Sequence, residues 1–193
     1  MIGEKFGHVF DRPLSGVAGK FPLSPNILTI AGFVITLGAS AVLVYHMRWG
    51  GLLILLGAFF DVLDGVVART NGKVTAFGAF LDSVLDRYSD AFIFLSVSLN
   101  LYMNNNPAGA VLSLGVLVGA VLVSYVRARA EGLGIDCKVG LMERPERILL
   151  AVFGTVSGLI MPVLWVLVVL THLTVVQRVL HVRKALALKS TIT

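Results

Sequence analysis

Six stretches of this chain are apolar over the length that hydrocarbon demands, and they leave little over for a water-soluble domain. Crossing roughly 30 Å of lipid as a helix takes about 20 predominantly apolar residues. Windows at 27–46, 49–69, 76–103, 108–127, 148–161 and 163–179 come near that length, the fifth being the shortest. A mean hydropathy of +0.88, with 56% hydrophobic and 14% charged residues, lies far above what a soluble surface can display. The sequence therefore predicts an all-α integral membrane protein with six transmembrane helices. No linker, low-complexity tract or internal repeat divides it, so 27–186 reads as one domain between an N-terminal segment, 1–26, and a short tail, 187–193.

The N-terminal segment lacks the unbroken apolar core and cleavage site of a signal peptide, so removal or export is not expected. Ile2, Phe6, Val9 and Phe10 fall on one helical face with Glu4, Lys5, His8 and Asp11 elsewhere, which suits an amphipathic helix lying in the membrane interface. Basic residues set the orientation, because they concentrate in short cytoplasmic connections. They precede the first span, follow the second, fill the stretch between the fourth and fifth and end the chain, whereas "NNNP" and the turn near Pro162 carry none and only Arg48 dissents. A multi-pass protein of the cell membrane with both termini cytoplasmic is expected. The net charge of +5 then reflects orientation and anionic partners rather than nucleic acid. The single cysteine, Cys137, excludes an intrachain disulfide.

The stretch "FFDVLDGVVARTNGKVTAFGAFLDSVLDRYSD" breaks the apolar pattern with Asp61, Asp64, Asp82, Asp86 and Asp90. Each aspartate in a membrane helix costs roughly 2.5–3.5 kcal/mol, so the set would cost on the order of 15 kcal/mol uncompensated. Asp61 and Asp64 are three apart and Asp82 and Asp86 four apart, hence on one face of the second and third helices. The short connection at 70–75 predicts that these helices are antiparallel neighbours whose carboxylate pairs converge near one cytoplasmic end. Arg69 and Arg87 are too few to neutralise five acids. Oxygen-only ligation favours hard cations such as Mg²⁺, with room for two ions roughly 3.5–4 Å apart, the arrangement used in phosphoryl chemistry. Gly65 admits a ligand to the backbone, Gly78 lets helices approach, and Arg69 offers a fork for phosphate. Other glycines, Gly32, Gly38, Gly109, Gly115, Gly119, Gly154 and Gly158, read as close helix packing.

Asp61-Val-Leu-Asp64-Gly65-Val-Val-Ala68-Arg69 followed, after eight residues, by Gly78-Ala-Phe-Leu-Asp82-Ser-Val-Leu-Asp86 resembles the complete signature of the CDP-alcohol phosphotransferase family. The resemblance implies six transmembrane helices, an interfacial N-terminal helix and a homodimer. It implies transfer of a phospholipid group from CDP-diacylglycerol or CDP-archaeol to an alcohol, with release of CMP. By similarity, Asp61, Asp64, Asp82 and Asp86 bind two Mg²⁺ or Mn²⁺ ions, Asp86 is also the general base, Gly65, Arg69 and Thr75 contact the CDP part, and Asn26 lies near the nucleotide.

The acceptor is approached through "SYVRARAEGLGIDCKVGLMERPER", whose arginines begin within the fourth span. Arg127 and Arg129 are expected to point toward the cavity, with Arg147 opening the fifth helix and Arg178 closing the sixth. Several arginines around one cavity suit an acceptor that carries a phosphate. "SYVRARAE", "MERPER" and "VVQRV" resemble the phosphatidylinositol-phosphate synthase branch of the family, which includes archaetidylinositol-phosphate synthase. That similarity implies an inositol 1-phosphate pocket of Ser124, Arg127, Arg129, Arg147 and Arg178. Glycerol 3-phosphate and serine remain alternative acceptors. From other classes, an ion-coupled transporter would place its acids near the midplane rather than at one edge, and a membrane prenyltransferase would not need the spacing of Gly65, Ala68, Arg69 and Gly78.

Overall fold

The computed structural model describes residues 24–190, with side chains through 188. Most of the expected interfacial segment, 1–23, and residues 191–193 lie outside the described residues. Within them the chain forms six α-helices: α1 Pro25–Tyr45, α2 Met47–Thr70, α3 Ala76–Met103, α4 Pro107–Glu131, α5 Arg144–Ser157 and α6 Ile160–Ser190. By length and composition α1, α2, α4 and α6 can each cross a membrane. The other two fall short of the expected six spans for physical reasons. Helix α3 has 28 residues but carries Asp82, Asp86, Arg87 and Asp90 between its start and its middle. Helix α5 has 14 residues, about 21 Å at 1.5 Å per residue. These two carry Asp82, Asp86, Asp90, Arg144 and Arg147 of the site described below.

Helices α1 and α2 form an antiparallel hairpin joined by His46 alone. Their contact is backbone-close: a Cβ on Gly50 would strike Leu43, one on Gly57 would strike Thr36, and one on Gly32 would meet Phe60 and Asp61. Helix α3 runs beside α1 in the same direction. At its far end the Asn100 Nδ2 donates to the carbonyls of Leu43 and Val44 at 3.2 and 2.9 Å, satisfying C-terminal acceptors of α1 that have no partner in their own helix. Helix α4 returns antiparallel to α3, with hydroxyls of Ser98 and Ser113 donating to the carbonyls of Ala110 and Phe94 at 3.1 and 2.7 Å. Asn106 caps α4 by accepting from the Gly109 amide at 2.9 Å.

Helix α5 returns to the side of α2, where Gly51 leaves room for Thr155, and α6 lies along α4, where Gly119 leaves room for Thr171. The expectation that α2 and α3 are packed neighbours is corrected: α1 packs against both of them, α5 packs against α2, and α2 and α3 make at most marginal contact. The glycine-lined faces of α2 are taken by α1 and α5. Two glycines also depart from the helix-packing expectation. Gly38 faces open space within the chain, and Gly158, with φ of +80°, ends α5 in the left-handed conformation that glycine adopts without steric cost.

One core, centred on Leu43, Ile54, Phe94, Val97, Leu164 and Leu167, joins all six helices. A smaller cluster of Leu28, Leu63, Val66 and Val67 sits where α1 begins and α2 ends. The alternation of directions brings the start of α1, α3 and α5 and the end of α2, α4 and the latter part of α6 to one edge. Every aspartate of the acidic stretch lies there.

Candidate active site

Asp61 and Asp64 project from the last turns of α2, and Asp82, Asp86 and Asp90 from the stretch of α3 between its start and its middle. Asp64 is only 6% exposed, beside the small apolar cluster around Leu63. It lies within electrostatic reach of Asp61 and Asp82, as Asp86 does of Asp82, Asp61 and Asp90. The acids therefore converge although their helices are not packed neighbours. Thr75 begins α3 by accepting from the Gly78 amide at 3.0 Å, and Gly78 has no side chain where the Asn26 Oδ1 stands, 3.0 Å from the position of a Cβ. Asn26, Thr75 and Gly78 thus meet at the junction of α1 and α3. On α2, a Cβ at Gly65 would stand 3.1 Å from the Arg69 Nη1, so those two positions also share one place.

The charge balance comes from further away than Arg69 and Arg87. Arg144, the first residue of α5, donates from Nη2 to Asp61 Oδ2 at 2.8 Å. Its Nη1 lies 2.7 Å from Asp86 Oδ1, and its Nε lies 3.9 Å from Asp90 Oδ1. Burial works against the charge on Arg144, but the carboxylates of Asp86, Asp61 and Asp90 outweigh it and hold the guanidinium above its usual pKa. Arg147, one turn further on, donates to Asp90. Asp90 is therefore the partner of Arg147 rather than a support for Arg87, which lies 3.8 Å from Asp86. The sequence reading missed Arg144, counting it only toward orientation. A usable signal was present: Pro145 marks a helix start, which puts Arg144 and Arg147, three apart, on one face.

A cavity of about 1100 Å³ opens between these groups. Arg69, Asp82, Asp86 and Asp90 of α2 and α3, which we call its acidic wall, and Ser124, Arg127, Arg144, Arg147 and Arg178 of α4, α5 and α6, its basic wall, line it. Asp61, Asp64, Gly65, Thr75 and Asn26 stand outside that lining. Arg129 is exposed and also stands outside it, contrary to expectation. Two residues along an α-helix turn about 200°, so Arg127 and Arg129 cannot face one cavity. Arg127 pairs with Glu131 at 2.9 Å. Arg178 does not close the sixth helix, which continues to Ser190. Its Nε donates to the Val139 carbonyl at 2.8 Å and its Nη1 to the Val123 carbonyl at 2.7 Å, with Nη2 lying 3.6 Å from Glu143. That single side chain ties α4 and the 132–143 connection to α6.

Among the described residues, no three Asp, Glu, His or Cys side chains form a ready-made ligand cluster for one ion, and Arg144 stands between Asp61 and Asp86. The donors nevertheless suit a hard cation. They are all carboxylate oxygens, and the Asp64 Oδ2 is buried with no hydrogen-bond partner, a costly state that a cation would relieve.

Residues 22–182 match the family model described as CDP-alcohol phosphatidyltransferase. The chain belongs to that family. The match spans all the acidic and basic positions above. Among curated relatives, the chain is 38% identical over 186 residues to archaetidylinositol phosphate synthase of Methanothermobacter thermautotrophicus, covering 93% of each protein. Among solved structures, phosphatidylinositol phosphate synthase of Mycobacterium tuberculosis with CDP-DAG bound superposes with a TM-score of 0.78 at 28% identity, covering 92% of this chain and 94% of the other. The same mycobacterial enzyme in complex with manganese and citrate gives a TM-score of 0.78 at 29% identity, covering 91% and 88%. As a CDP-alcohol phosphatidyltransferase, this chain is a multi-pass membrane enzyme of phospholipid synthesis, and its paired aspartates lie within the matched residues.

Proposed function

We propose that this enzyme transfers a phosphatidyl or archaetidyl group from a CDP-linked lipid to the hydroxyl of inositol 1-phosphate and releases CMP. The observation that carries this reading is one cavity lined both by Asp82 and Asp86 of α3 and by Ser124, Arg127, Arg147 and Arg178 of α4, α5 and α6. A reaction joining a pyrophosphate donor to a phosphorylated acceptor needs both walls; a neutral acceptor would leave the basic wall unused. The names of the archaeal relative and the mycobacterial structures point the same way.

In this reading Asp61, Asp64, Asp82 and Asp86 would hold two divalent cations, Mg²⁺ or Mn²⁺, in keeping with the manganese complex of the mycobacterial enzyme. When bound, such ions neutralise the donor's pyrophosphate and favour the departure of CMP. Gly65, Arg69, Thr75 and Asn26 position the CDP part. Asp86, whose Oδ1 lies 2.7 Å from Arg144 Nη1, takes the proton of the acceptor hydroxyl. The hydroxyl oxygen bonds to the lipid-linked phosphorus as the bond from that phosphorus to CMP breaks. Arg127, Arg147 and Arg178 hold the acceptor's own phosphate away from the reacting one.

The basic edge of the bundle is assigned to the cytoplasm, with both termini on that side, and the enzyme to a homodimer. Cysteines placed at Lys73 and Asn105 should label from opposite sides of the membrane; labelling from one side would refute the orientation. The function is tested by CMP release from purified protein given Mn²⁺, CDP-diacylglycerol or CDP-archaeol, and a choice of acceptors. Release with inositol 1-phosphate but not with free inositol or serine is expected. A preference for glycerol 3-phosphate would retain the chemistry and displace the acceptor.

A further inference from the structure

The transfer chemistry leaves no use for Asp90. It lies one turn beyond Asp86 on α3 and is 2% exposed, a place where an unpaired carboxylate would be strongly destabilising. Arg147 of α5, 1% exposed, donates to its Oδ2, and the Nε of Arg144 lies 3.9 Å from its Oδ1. All three side chains line the cavity.

The contacts are incomplete. Nε and Nη1 of Arg147 are buried without a hydrogen-bond partner, and so is Asp90 Oδ1. A buried ion pair is a weak device for stability, since apolar residues of similar volume do as well or better. An arginine held by one nitrogen, with the rest of its fork unspent beside a polar cavity, is instead arranged to receive an anion.

We propose that Asp90 is a positioning residue for the acceptor: it fixes the Arg147 fork, and steadies Arg144, where the acceptor's phosphate enters, one helical turn from Asp86. Asp90 does not itself touch substrate. It acts through the arginines, and links the acceptor's anchor to the helix that carries the base. This inference rests on the acceptor reading above.

Steady-state kinetics with Mn²⁺, CDP-DAG and inositol 1-phosphate test it on the parent, Asp90→Asn, Asp90→Glu, Arg147→Gln and the Asp90→Asn/Arg147→Gln double variant. Asp90→Asn is expected to raise the acceptor KM about tenfold or more, while the CDP-DAG KM and the Mn²⁺ midpoint stay within about twofold. Asp90→Glu should recover part of the loss. The double variant should be no worse for the acceptor than Arg147→Gln alone, because Asp90 has nothing left to position. Should Asp90→Asn fail to fold, the double variant, which removes both buried charges, keeps that comparison available.

A folded Asp90→Asn with the parental acceptor KM would overturn the proposal, as would equal rises for both substrates or additive losses in the double variant. A parent inactive with inositol 1-phosphate would overturn the acceptor reading and this inference with it. An active parent beside an unmoved Asp90→Asn would overturn this inference alone.

Discussion

The two walls of the cavity are built in opposite ways. The acidic wall comes from two consecutive helices, and behind it the buried Asp64 has an oxygen with no partner. The basic wall is gathered from α4, α5 and α6, and its guanidiniums already hold the protein together: Arg178 grips two carbonyls and Arg127 pairs with Glu131. The acids are arranged for something to be added, whereas the arginines serve fold and site at once. Arg144 crosses from one wall to the other. Substitutions on the acidic wall should therefore be severe in chemistry and mild in stability, and substitutions on the basic wall more mixed.

The largest expected effect tests the first half of that contrast. Asp64→Asn should lower Mn²⁺-dependent CMP release by about a thousandfold or more, because metal-borne charge stabilisation is worth several kcal/mol. Its thermal midpoint in detergent should fall little, and retention of full activity would remove Asp64 from the site. Next in size is a change that touches neither wall. A Cβ at Gly51 would strike Thr155 of α5, so Gly51→Val should destabilise by about 1–3 kcal/mol as an overpacked contact. Gly38→Ala, at a position facing open space, should leave stability unmoved; equal losses in both would show that α2–α5 packing is not what carries Arg144 to Asp61. A smaller effect concerns the crossing residue itself. Arg144→Gln removes the cation that competes with metal for Asp61 and Asp86, and Mn²⁺ binding measured by titration should tighten about tenfold, since a unit charge near 4 Å is worth that much or more at protein-like dielectric. Unchanged or weaker Mn²⁺ binding would mean that Arg144 organises the carboxylates rather than competing for them.

How much of this was legible in the sequence follows from the range of each signal. The acidic cluster could be read because its spacing is local: three- and four-residue steps put Asp61 with Asp64, and Asp82 with Asp86, on single helix faces whatever surrounds them. The apolar windows likewise gave α1, α2 and α4 nearly to their ends. Two kinds of information were not local. Which helices touch is decided by Gly50, Gly51 and Gly57 accepting α1 and α5 against α2, and a short connection between α2 and α3 could not reveal that. Which arginine neutralises which acid depends on α5 returning beside α2, so the pairing of Arg144 with Asp61 and Arg147 with Asp90 had no sequence-neighbour cue. Arg129 was misplaced for a simpler reason: two arginines two residues apart were read as one patch where helical geometry splits them.

That split also supplies the most direct test of the central claim, that the basic wall holds the acceptor and only the acceptor. Arg127 lines the cavity and Arg129 does not. Steady-state KM values for inositol 1-phosphate and for the CDP-lipid should be measured side by side in Arg127→Ala and Arg129→Ala. The account predicts an acceptor KM raised about tenfold or more in Arg127→Ala, as the loss of one charge-assisted hydrogen bond implies, with the CDP-lipid KM within about twofold and Arg129→Ala close to the parent. A parental acceptor KM in Arg127→Ala, or a CDP-lipid KM that rises in step with it, would contradict the division of the cavity into two walls.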